Sequence, residues 1–162
     1  MALREILTDG DATLRKTSRV VIQFDRRLHQ LLDDMGETLV HVNGKGLAAP
    51  QIGVLRRVVV VDVGTQEEPD VLEIINPEII ESEDIQCETE GCLSIPGLRG
   101  TVERPLKLKV RALDRYGNAY EIEGEEFMAQ AMSHEIDHLD GILFIDKPSF
   151  KLLPKEEPVD EE

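Results

Sequence analysis

Apolar residues in this chain recur at two periods, and the switches between them mark out its elements. From Asp25 onward, Leu28, Leu31, Leu32, Met35 and Leu39 fall at three- and four-residue steps. That spacing lines one face of an α-helix. Asp25 is a suitable N-cap and Asn43-Gly44 a suitable stop, so the pattern predicts a helix to about His41. Residues 58–63 are a β-branched run, the composition of a buried strand. Residues 71–75 read as a second strand stopped by Asn76-Pro77, with Ile79 and Ile80 continuing the apolar pattern. Between Leu106 and Ala112 apolar residues alternate with Lys107, Lys109 and Arg111, which predicts a half-buried strand. Tyr116-Gly117-Asn118 turns it into residues 120–122 as a hairpin. Helical spacing returns near Gly124-Glu125-Glu126, acidic as a helix start prefers. It runs through Phe127, Met128, Ala131 and Met132 to His138, with Gly141 as its end. Residues 142–145 read as a last extended piece, and residues 1–22 as an irregular leader with one helical turn near 12–16.

These elements predict an α+β fold, with mixed or antiparallel β-sheets packed around a central C-terminal helix. The length of 162 residues suits one domain over 1–150, followed by a short acidic tail over 151–162 read as flexible. No repeat is visible. The net charge of −15 argues against direct nucleic-acid binding. No apolar run approaches the roughly 20 residues of a membrane span. The start, Met1-Ala2-Leu3-Arg4-Glu5, lacks a basic and apolar secretory signal, so a cytoplasmic location is expected.

The C-terminal helix carries His134-Glu135-Ile136-Asp137-His138, the pattern H-E-x-x-H. Residues four apart on a helix share a face, so His134 and His138 can aim two imidazoles at one metal ion. Glu135 can reach a water beside it without ligating the metal. His29 and His41 have no partner at ligand spacing and read as ordinary helix residues. Downstream third ligands fail: Phe144 stands where one large peptidase group has histidine, and Glu156 and Glu157 lie between Pro154 and Pro158. Upstream stand the only cysteines, Cys87 and Cys92. Each alone is more often a small buried hydrophobe than a ligand. Cys92, between Gly91 and Leu93, has the more unusual setting and is the stronger candidate. A Cys/His/His set leaves a fourth tetrahedral position open, the layout of a catalytic metal site. The stretch from Gly44 to Gly53 is glycine-rich but lacks the Gly-Lys-Ser/Thr of a phosphate loop. It reads as an extended segment built to lie beside something.

Three blocks stand in order: Gly44-Lys45-Gly46-Leu47-Ala48-Ala49-Pro50-Gln51, Glu90-Gly91-Cys92-Leu93-Ser94, and His134-Glu135-Ile136-Asp137-His138. Together they closely resemble the three motifs of peptide deformylases, over about residues 3–147. That resemblance implies a hydrolase that removes the formyl group from N-formylmethionine at the start of nascent chains and releases formate. It implies Cys92, His134 and His138 as metal ligands and Glu135 as general acid/base. Gln51 and the Leu93 N–H would face the developing oxyanion. Gly44, Gly46, Glu90 and Arg99 would bind or support the substrate, with a Glu90–Arg104 ion pair as a brace. It points to Fe²⁺, with Zn²⁺, Ni²⁺ or Co²⁺ as other occupants, and to work near the ribosome. Lys45 departs from the aliphatic residue usual at that position; its stem is expected along the pocket rim with the ammonium in solvent. Two other readings are an H-E-x-x-H peptidase of another fold and a metal-binding module without catalysis.

Overall fold

Two helices lie on opposite faces of one antiparallel sheet in the computed structural model, which describes residues 2–154. The first helix, α1 (Arg26–His41), begins as expected, with Asp25 Oδ1 accepting from the Leu28 N–H at 3.1 Å. Its stripe Leu28, Leu31, Leu32, Met35 and Leu39 is buried. Facing that stripe are Leu47 of β1 (Gly46–Ala48) and Val58 and Val60 of β2 (Val58–Asp62). The alternate residues Ala48, Val59 and Val61 face the other way, onto Met132 and Ile136 of α2 (Phe127–Leu139). Both faces of β2 are therefore covered, which is why its sequence shows no polar alternation. Each such valine contributes roughly 1.5–3 kcal/mol by leaving water.

The sheet continues through β3 (Val71–Cys92), β4 (Ile95–Leu113) and β5 (Ala119–Glu125), in the order β1-β2-β3-β4-β5. A short β6 (Lys151–Leu152) pairs with Gly100 and Thr101 of β4. Residues 151 and 152, expected in the tail, thus belong to the sheet; positions 155–162 lie outside the described residues. Among the described residues no helix is long and apolar enough to cross a membrane.

The structure corrects three further boundaries. Asn76-Pro77 does not stop the strand: β3 passes through it with a register shift between Ile75 and Glu78. A bulge tolerates both the missing proline N–H and the positive φ of 51° at Asn76. The Asn76 side chain compensates by bonding both backbone groups of Val21, at 2.8 and 2.9 Å. The second helix begins at Phe127, because Gly124 and Glu125 complete the ladder with Leu108 and Lys107. The acidic residues therefore precede the helix, and its first turn holds none. Residues 142–145 are not a strand; Phe144–Asp146 form a 3₁₀ turn that buries Phe144.

Candidate active site

The H-E-x-x-H residues lie in the C-terminal half of α2, with His134, Glu135 and His138 all buried. One helical turn brings His134 Nε2 and His138 Nε2 to 3.3 Å. Strand β3 ends at Cys92, where Leu93-Ser94 reverses the chain and Cys92 pairs with Ile95. Cys92 Sγ lies 3.4 Å from His138 Nε2. One donor atom from each of Cys92, His134 and His138 lies within 4.8 Å of the others. Cys87 is exposed on β3, so Cys92 is the cysteine that meets the histidines.

Gln51 sits in a 3₁₀ turn, Ala49–Ile52, directly after β1. The Ala48 N–H donates to its Oε1 at 2.9 Å, and its Nε2 points at Ser94 Oγ (3.1 Å) and Cys92 Sγ (3.7 Å). Glu135 Oε1 is 3.9 Å from Nε2 of both histidines, while its Oε2 is buried without a hydrogen-bond partner among the described residues. Gly46 passes hard against this carboxylate. A Cβ there would come within 2.7 Å of Glu135 Cγ and 3.0 Å of Oε2. Gly44, Gly46, Glu90, Leu93 and Arg99 line one cleft of about 1180 Å³ together with Cys92, His134 and Glu135. Gln51 and His138 are buried and do not line it. Lys45 is exposed and lines the same cleft.

A family model for polypeptide deformylase matches residues 3–152. The chain belongs to the polypeptide deformylase family. It is 57% identical to a peptide deformylase of Alkaliphilus metalliredigens over 147 residues, covering 91% of this chain and 97% of that protein. It is 52% identical to one from Caldanaerobacter subterraneus over 157 residues, covering 97% and 96%. The crystal structure of a peptide deformylase from Legionella pneumophila superposes with a TM-score of 0.86 at 42% identity, covering 97% of this chain and 88% of that one. The one from Thermotoga maritima gives 0.85 at 39% identity, covering 90% and 97%.

Members of this family depend on a metal, and the cluster fits one. Tetrahedral ligands at the usual metal–nitrogen and metal–sulfur lengths stand about 3.3–3.6 Å apart, matching the two separations above. His134 Nδ1 meets Glu90 Oε1 at 2.8 Å, which leaves Nε2 as the nitrogen facing Cys92 and His138. Burial opposes a charge on His134, yet Cys92, Glu90 and Glu135 outweigh it and raise its pKa to about 10. Burial, with His134 and Arg104, drives His138 well below the usual histidine range. Burial also raises Glu135 to about 7, against the pull of His134 and Arg104.

The Glu90–Arg104 pair forms, and it is not a surface pair. Arg104 is 2% exposed and grips both Glu90 oxygens, at 2.8 and 3.0 Å. Burial works to raise the Glu90 pKa, but bonds from His134 and Arg104 hold it at about 2. Arg104 also donates to Ser133 Oγ at 3.2 Å and Asp137 Oδ2 at 2.6 Å. Ser133, Asp137 and Ser94 were not singled out from the sequence. The one available signal was helical: Ser133 and Asp137 are four apart, on a face neighbouring the histidines. The leader is equally involved. Leu7 N–H bonds Gln51 O, Asp9 N–H bonds Ser94 O and Ser18 N–H bonds Leu139 O, each at 2.7 Å. It ties together the backs of all three motifs.

Proposed function

We propose that Cys92, His134 and His138 hold one divalent metal, and that Glu135, Gln51 and Leu93 act around it in formyl hydrolysis. The reaction is that of the family: removal of the N-formyl group from N-formylmethionine on newly made polypeptides, with release of formate. The observation that carries the assignment is the convergence of one thiol and two imidazoles beside a buried glutamate, in a cleft open to a peptide. A thiolate and two imidazoles suit Fe²⁺, Zn²⁺, Ni²⁺ or Co²⁺, and the family resemblance points to Fe²⁺ as the resident ion. Such an ion supplies Lewis acidity, acidifying water so that hydroxide is present near neutral pH.

Glu135, with a pKa near 7, takes the proton of the attacking water and returns it to the leaving amine. The Gln51 Nε2–H and the Leu93 N–H donate to the oxygen that gains charge at the formyl carbon. Loss of one such donor costs about 10²–10³ in rate in other hydrolases. Gln51 is held for this by the Ala48 N–H on its Oε1. Glu90 fixes the His134 ring through Nδ1. The backbone of Gly44 and Gly46 receives the peptide as an added strand, main-chain bonds giving affinity for many sequences. Arg99 contacts the peptide beyond its first residue. Nascent chains as substrates imply work in the cytoplasm, beside the ribosome.

Glu135→Ala tests the assignment. The variant should keep its metal and lose formate release from formyl-Met-Ala by at least about 10²-fold. Retained turnover would refute the role. Cleavage of an unformylated peptide by the wild type would instead indicate a peptidase. Anaerobic metal analysis of fresh protein, read against the rate, identifies the ion.

A further inference from the structure

The charged side chains lining the cleft are of two kinds. Glu90 is neutralised by Arg104, and Glu135 is buried against the histidines. The other two are cations, Lys45 and Arg99, both exposed. Arg4, Arg57, Arg104 and Arg115 form ion pairs; Lys45 and Arg99 form none among the described residues. Their backbones flank the reacting centre. Lys45 precedes Gly46, which touches Glu135, and Arg99 pairs across the ladder with Gly91, the neighbour of Cys92. Below them the wall is α2, where Phe127, Gln130 and Ala131 stand seven, four and three residues before His134. A first side chain beside the formyl group would face that wall. An extended peptide advances about 3.3 Å per residue, so the second and third side chains reach the level of the rim. In a chain of net charge −15, a cationic rim is a local reversal of sign.

We infer that the cleft selects formyl peptides bearing an Asp or Glu side chain at the second or third residue, held between Lys45 and Arg99. The inference rests on the activity proposed above. The test compares four C-terminally amidated peptides: formyl-Met-Asp-Ala, formyl-Met-Ala-Asp and their Asn counterparts, with kcat/KM read by formate release. At low ionic strength at least one acidic peptide should exceed its Asn counterpart by about 1.5–5-fold, the range of exposed charge pairs. The excess should vanish near about 0.5 M salt. Lys45→Gln should shrink the ratio, and Lys45→Glu should invert it. Equal rates for acid and amide, or a ratio unmoved by Lys45→Glu, would overturn the inference alone. Formate from none of the four would remove the underlying activity as well.

Discussion

Gly46 shows how much one missing side chain decides. The sequence places it in an extended segment built to lie beside something, and the structure adds a second reason for glycine. Its Cα passes so close to Glu135 that any Cβ would strike the carboxylate stem. Gly46→Ala should therefore push Glu135 off its position between the two imidazoles. A displacement of about 1 Å can cost about 10²-fold in rate. We expect a fall in kcat of about 10- to 100-fold with metal content unchanged, checked by formate release and metal analysis on the same sample. The H-E-x-x-H residues were legible because helical periodicity is local: four residues make one turn, and that turn brings both imidazoles together. Cys92 was legible only by elimination and by resemblance. Nothing in its spacing from His134 encodes the hairpin corner that delivers it.

Among the elements, α2 and the β3–β4 hairpin depend on each other through Arg104. It reaches from β4 to Glu90 on β3 and to Ser133 and Asp137 on α2, and Lys147 meets Asp137 at 3.2 Å. Removing it would leave Glu90 buried without its counter-ion. Arg104→Met should destabilise the protein by about 3–5 kcal/mol, the cost of breaking a buried pair, seen in urea unfolding. A Glu90→Leu, Arg104→Met double variant should recover part of that loss. Such contacts are illegible in sequence because ladder register, not distance along the chain, sets them. The same limit explains Asn76-Pro77. Proline signals a stop, but a bulge lets β3 continue, and the Val21 backbone that steadies it lies 55 positions earlier. Conversely, α1 was legible throughout, since its cap and stripe both lie within its own residues.

For the molecule as a whole, the leader is more than a lead-in. It ties the backs of the motifs together and anchors its own start on α1, where the Ala2 N–H, Arg4 and Gln30 all bond Asp34. Burial tends to raise the Asp34 pKa, but those three donors prevail and lower it below 3.8. The ionised form therefore stabilises the fold. That contribution is complete above the unfolded value of 3.8 and is lost as pH falls through the lower folded value. Asp34→Asn should be less stable than wild type at neutral pH, and the gap should close below about pH 4, measured by denaturant titration across pH.

The anchored start carries a further consequence, one of timing. Residues 2 and 4 are bonded into α1 in the folded protein, so this stretch cannot also lie extended in the cleft of another copy. The site itself needs His138, so it cannot close until synthesis has passed that residue. The leader is made early yet finds its partner Leu139 only after α2 has emerged, so that bond is among the last contacts the chain can form.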